Sequence, residues 1–135
     1  MYFRFNILIL GSNASLVNFI AAKIRKLSDN PIMIANSIPE VLNLNETPYL
    51  IFLSAELVES NPMIPDLTGM RVLRQKFPGA GIVVFGDDDL QNNLNYVTGG
   101  ARDYVTRTML VLPQIENYLK KRMASDWAVR PIHAN

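Results

Sequence analysis

The 135-residue chain contains no cysteine. Disulfides, thiolate nucleophiles and cysteine-ligated metals are thereby excluded. Histidine occurs once, at His133 near the end, so no imidazole lies near the body of the chain to serve as a base. An excess of either charge is missing too: Lys and Arg total 13 against 12 for Asp and Glu, a formal charge of +1. That balance gives no electrostatic reason to expect nucleic acid or an anionic membrane as a partner. Long apolar runs are also lacking. The first, Ile7–Leu10, is cut by Gly11-Ser12-Asn13, too soon for a signal-peptide core, and no later segment is long enough to span a bilayer. What remains is 49% hydrophobic and 19% charged, the composition of one globular domain, read as soluble and cytoplasmic.

The most informative run is Leu50-Ile51-Phe52-Leu53, preceded by Thr47-Pro48 and ending on the small polar Ser54. A short unbroken apolar run of this kind is expected of a central parallel strand buried on both faces. In an open α/β sheet, function sits at the carboxyl ends of the strands, and Ser54 stands at such an end.

The rest of the chain repeats the pattern. Phe5–Leu10 reads as a first strand, followed by a Gly11–Ser15 turn with several candidate N-caps. The next helix carries Leu16, Val17, Ile20, Ile24 and Leu27 at helical spacing and stops at Asp29-Asn30-Pro31. Ile32–Ala35 is a second strand. Ser37-Ile38-Pro39-Glu40 has capping-box spacing and opens a short helix through Leu44. After the Leu50 strand, Val58–Thr68 is an unusually long βα connection. Gly69–Phe77 is a helix with Val72, Leu73 and Phe77 inward, and Gly81–Phe85 is a β-branched fourth strand. Asp87-Asp88-Asp89 leads into a polar helix with apolar positions Leu90, Leu94 and Val97, closed by Gly99-Gly100. Asp103–Thr106 is a fifth strand, and a last helix near Pro113 turns Ile115, Tyr118, Leu119 and Met123 inward. Five strands alternating with five helices predict an α/β domain over residues 1–124, with a parallel sheet covered on both faces. Residues 125–135, including Trp127, read as a loose tail.

Several segments resemble the receiver domain of two-component response regulators. They are Ile7–Leu10 before a turn, Leu50–Leu53 before Ser54, Pro65–Arg74 and Ile82–Phe85. The most specific is Gly100-Ala101-Arg102-Asp103-Tyr104-Val105-Thr106-Arg107. The likeness runs over roughly the first nine-tenths of the chain. It implies a single doubly wound, flavodoxin-like sheet of strand order 2-1-3-4-5. It also implies a Mg²⁺-dependent carboxylate pocket, and this sequence departs from the family pattern at every pocket position. The acidic pair falls on Gly11 and Ser12, the phosphoacceptor on Ser54, the hydroxyl position on Gly86 and the lysine on Arg107, while Tyr104 matches the aromatic switch position. Two small neutral residues remove the charge that would hold Mg²⁺. A serine hydroxyl, unlike an ionised aspartate, needs an activating base. The loop after Leu57 is also about seven residues longer than the family usually has.

Each candidate has a plainer alternative. Ser54 serves equally as a small residue where the strand turns. Glu56 with Asp87 could approach a cation, yet scattered carboxylates are more often solvated. Asp87-Asp88-Asp89 suits a helix N-terminus by its dipole alone. Gly11-Ser12-Asn13-Ala14-Ser15 has one glycine where a dinucleotide loop wants three. Arg107 would either bind an anion or pair with a nearby carboxylate. Lys120, Lys121 and Arg122 read as a solvated face, and Trp127 as either a contact anchor or a residue folded back onto the last helix.

The resulting expectation is a degenerate receiver, without enzymatic activity, metal or cofactor, that signals by protein–protein contact. Its partner would be a histidine kinase, another signalling protein or a second copy of the chain. The resemblance places the contact face on the fourth helix, fifth strand and fifth helix, which here means Asn93, Tyr96, Arg102, Tyr104, Tyr118 and Lys121. No effector domain is expected after the last helix. The alternative is a module that holds a small anionic ligand in the vacated pocket of Gly11, Ser12, Ser54, Gly86 and Arg107.

Overall fold

The computed structural model describes residues 6–27, 31–44, 47–58, 67–87, 96–97 and 99–124. Five parallel strands form one sheet in the order β2-β1-β3-β4-β5. They are β1 (Asn6–Leu10), β2 (Ile32–Ala35), β3 (Pro48–Ser54), β4 (Gly81–Gly86) and β5 (Asp103–Thr106). The helices are α1 (Ala14–Arg25), α2 (Ile38–Val41), α3 (Thr68–Lys76), α4 (Arg107–Val111) and α5 (Ile115–Ala124), with a 3-10 turn at Ala55–Leu57. The doubly wound sheet and its strand order are those expected from the sequence.

The unbroken apolar runs occupy the middle of the sheet, where both faces are covered and a polar side chain would lose its water. Successive residues then divide between two cores. Ile7, Ile9, Leu50, Phe52, Val83 and Phe85 pack with Val17, Ile20, Ala21 and Ile24 of α1 and with Ile115 and Leu119 of α5. Leu8, Leu10, Ile51, Leu53, Ile82 and Val84 pack on the other side with Val41 of α2 and Met70 and Leu73 of α3. Each fully buried side chain of this size contributes about 1.5–3 kcal/mol relative to exposure. The register is regular: Leu53 of β3 lies between Leu10 of β1 and Val84 of β4, and Ser54 lies beside Phe85. Gly11 just after β1, Ser54 at the end of β3 and Gly86 at the end of β4 are thus brought to one rim.

Local signals account for most boundaries. Asn13 caps α1, its side-chain oxygen accepting the Leu16 N–H at 3.0 Å. Lys23 and Lys26, near the end of α1, both reach Glu116 of α5, at 3.1 and 3.4 Å. Three sequence expectations are corrected. The Ser37–Glu40 capping box is incomplete: Glu40 Oε2 accepts from the Asn36 N–H and from the Ser37 hydroxyl, Ser37 makes no cap bond to the backbone, and the helix ends at Val41 rather than Leu44. Met70, and not Val72, carries the inward face of α3 with Leu73; Val72 is half-buried. The chain after β5 turns at once into α4, because the Thr106 hydroxyl accepts the Met109 N–H at 3.1 Å.

The long connection after β3 lies largely outside the described residues, at positions 59–66, but its two ends are clasped together. The Met70 N–H donates to the Val58 carbonyl at 3.2 Å. Leu67, at the start of α3, adopts a left-handed φ of 56° that costs a non-glycine residue about 1–2 kcal/mol. Its side chain is half-buried against the second core. The helix expected over Leu90, Leu94 and Val97 is described only at residues 96–97, and the tail with Trp127 and His133 lies outside the described residues. No helix among the described residues is long and apolar enough to cross a membrane.

Candidate functional site

The rim at the carboxyl ends of β1, β3 and β4 collects Gly11, Ser12, Ser54, Glu56, Gly86 and Asp87, and Arg107 joins it from the first turn of α4. Five of these, Gly11, Ser12, Ser54, Gly86 and Arg107, are the pocket positions expected from the sequence. The structure adds Glu56 as the residue around which one side is arranged.

Glu56 lies in the 3-10 turn that β3 enters directly after Ser54. That turn brings its carboxylate back over the strand end. Its Oε1 accepts three hydrogen bonds, from the Ser12 hydroxyl at 2.6 Å, the Ser12 backbone N–H at 3.1 Å and the Ser54 hydroxyl at 3.1 Å. Ser12 precedes the capping residue of α1, so its N–H points out of a helix start that favours negative charge. The Ser12 hydroxyl above all holds the Glu56 carboxyl below its ordinary value of 4.5. Partial burial opposes this, while the Ser12 N–H, the Ser54 hydroxyl and the Arg107 charge reinforce it. Ser54 is buried, 8% exposed, and its hydroxyl donates to a carboxylate. A serine nucleophile instead needs a base that takes its proton at working pH. A carboxyl whose acidity is increased in this way is a poorer base, so the contact reads as structural.

The other side of the rim is an ion pair. Arg107 Nε meets Asp87 Oδ1 at 2.9 Å, with the two side chains 55% and 81% exposed. This is the carboxylate pairing weighed for Arg107 in the sequence. The Asp87 carbonyl in turn accepts the Tyr104 hydroxyl at 2.6 Å, and the Tyr104 ring is 2% exposed beneath it.

Glycine at two rim positions reflects close packing. A Cβ on Gly86 would lie 2.7 Å from Ala55 Cβ and 2.9 Å from the Tyr104 hydroxyl, so a threonine or serine there would compete with Tyr104 for one space. A Cβ on Gly11 would lie 2.9 Å from Val17 Cγ2 and 3.3 Å from Ser54 Cβ, leaving no room for an acidic side chain as the chain now packs. The Mg²⁺ that the family resemblance implies is not matched by these donors. Magnesium takes carboxylate and phosphate oxygens in octahedral array, and the positions that would supply a carboxylate pair are Gly11 and Ser12. Glu56 is engaged by two serines and Asp87 by an arginine, and no group of three acidic or histidine side chains gathers among the described residues.

The residues of the expected contact face differ in exposure. Tyr96 and Tyr104 are buried, 5% and 2% exposed, with ring centroids 5.8 Å apart inside the second core. The half-buried Tyr118 is tied to β5 through its hydroxyl, which donates to Asp103 Oδ2. Arg102 and Lys121 are exposed, and Asn93 lies outside the described residues. Sequence reading missed Glu56 as an organising residue. The available signal was its position two residues past the strand end, on the same turn as Ser54.

No family model matches the sequence, and no curated protein matches it by sequence. Among solved structures, a response regulator from Thermotoga maritima superposes with a TM-score of 0.70 at 18% identity, covering 93% of this chain and 99% of that one. A CheY-like receiver domain protein from Methanospirillum hungatei gives 0.66 at 17% identity, covering 92% and 97%. A structure from Burkholderia thailandensis assigned to pilus assembly (CpaE) gives 0.68 at 17% identity, covering 90% and 98%. With the strand order and the two-faced core, these likenesses establish that the chain has the flavodoxin-like fold of response-regulator receiver domains.

Proposed function

We propose that this domain is a receiver-fold signalling module that is not phosphorylated and acts by contact with another protein. The observation that carries the reading is the end of β3, where Ser54 donates to Glu56 instead of presenting an ionised carboxylate. The missing acidic pair at Gly11 and Ser12, and Tyr104 in the space a hydroxyl residue at Gly86 would need, support it further. Similar structures are named for response regulation and for pilus assembly, so the partner class is a matter for experiment. A histidine kinase, another signalling protein or a second copy of the chain are the partners to test. The exposed Arg102 and Lys121 provide the side chains with which to probe the face beside β5 and α5.

The test is amide NMR with acetyl phosphate, or beryllofluoride, in the presence of Mg²⁺. Resonances of Ser12, Ser54 and Arg107 are expected to stay in place and the intact mass to stay unchanged. Saturable shifts together with a phosphoryl adduct would overturn the reading. Reversing charge at Arg102 and Lys121 together is expected to weaken capture of the cognate partner while the circular dichroism spectrum shows the chain still folded. Undiminished capture would move the contact surface elsewhere.

A further inference from the structure

We propose that Glu56 is a built-in anion, an intramolecular carboxylate that occupies the rim of the sheet and keeps free oxyanions out. The inference rests on the reading of the rim as a non-phosphorylated pocket and goes beyond it, because it assigns the pocket a resident occupant.

Three donors from two elements converge on one oxygen, Glu56 Oε1: the Ser12 N–H and hydroxyl from the β1–α1 turn, and the Ser54 hydroxyl from β3. Donors converging at 2.6–3.1 Å, with a guanidinium near enough to favour the ionised form, make the environment that stabilises a phosphate or carboxylate oxygen. Ser54 is more than nine-tenths buried, so its hydroxyl needs an acceptor, and Glu56 supplies it from within the chain. The opposite side is likewise satisfied internally, since Asp87 offers its carboxylate to Arg107 and its carbonyl to Tyr104. An external anion would have to displace Glu56 and then share the rim with the Asp87 carboxylate. Close packing beneath Gly11 and Gly86 leaves no second layer in which it could settle. The contact also has mechanical reach. Glu56 belongs to the turn that leads into Val58, whose carbonyl accepts the Met70 N–H of α3, so the lock ties the β1–α1 turn to the start of α3.

The experiment titrates inorganic phosphate into the full chain and into Glu56→Ala, following the Ser12 and Ser54 amides by NMR and the intact mass in parallel. The wild-type chain is expected to show no saturable shift. Glu56→Ala is expected to bind at least about tenfold more tightly, because the three donors are then left without their carboxylate. Adding Arg107→Ala to that variant should weaken the gained binding. Glu56→Ser, whose short side chain also withdraws the carboxylate from the three donors, supplies the same comparison should the alanine variant fail to fold. Equal binding by wild type and variant would overturn the resident-anion role, and so would absence of binding by both folded variants. A phosphoryl adduct on the wild-type chain with acetyl phosphate would instead overturn the non-phosphorylated reading. Reversible shifts without a mass change leave that reading intact, so the two failures are told apart.

Discussion

Within seven residues β3 passes through two physical regimes. Leu50–Leu53 is sealed between two layers of helices, 0–1% exposed, and its side chains belong to the two apolar cores. At Ser54 and the turn after it, polar contacts take over, the shortest of them made to the Glu56 carboxylate. The difference teaches which part of the domain many sequences can build and which part depends on particular residues. The interior needs apolar residues with alternating faces, and many sequences meet that need. The rim depends on one particular set of donors and acceptors, and here it is turned inward on itself.

The largest effect should come from the interior. Phe52→Ala removes a fully buried ring next to Ile9 and Val83 in the register and is expected to cost about 3–5 kcal/mol in denaturant unfolding. A loss below about 1 kcal/mol would mean that this core relaxes freely, and the contrast with the rim would collapse.

Gly86→Thr comes next, because it forces a side chain into the space between Ala55 and the Tyr104 hydroxyl. A loss of about 1–3 kcal/mol is expected, with the Tyr104 ring displaced from its place beneath Asp87 and visible as changed ring chemical shifts. Unchanged stability with Tyr104 still buried would show that the rim has slack.

Smaller still is Glu56→Gln, expected to cost less than about 1 kcal/mol near neutral pH, because the side chain is largely solvated and water screens its interactions. The pH dependence separates charge from shape. The folded-state pKa of Glu56 lies below its ordinary 4.5, so its contribution is present above that value and is lost as pH falls through the lower folded value. The charged neighbours on this rim, Arg107 and Asp87, are common to both chains. Wild type and Glu56→Gln should therefore converge in stability on acidification below about pH 4.5. A difference that stays constant down to pH 2 would assign the effect to shape alone.

Arg107→Ala should matter least, about 0–0.5 kcal/mol, since the pair with Asp87 is exposed on both sides. A loss as large as that of Gly86→Thr would show that the two sides of the rim are coupled more strongly than their exposure indicates.

The fold was legible because its signals are local. β2 begins and ends where its apolar residues do, and the glycine and proline punctuation separates the helices. Less legible was which way the tyrosines point. Tyr104 lies in the edge strand β5, and its burial depends on the lack of a side chain at Gly86 and on the nearby Asp87 carbonyl. α4 was missed because it is a single short turn of helix started by the Thr106 hydroxyl, too brief to show a period. At the rim, five expected positions converge, yet their meaning depends on Glu56, which carries no motif.

The sequence by itself determined the scaffold: a parallel α/β sheet, its strand ends, and the absence of the acidic pair and the phosphoacceptor aspartate at the positions the resemblance marks. Those are properties of short runs and single positions, and hydrophobic burial enforces them wherever they occur. Only the tertiary structure decided what fills the rim. Ser12 and Glu56 are 44 residues apart, and they meet because β1 and β3 are neighbours in register. Hydrogen bonding has a range of about 3 Å, so a contact of this kind has no trace in the sequence until the sheet has brought its strand ends together.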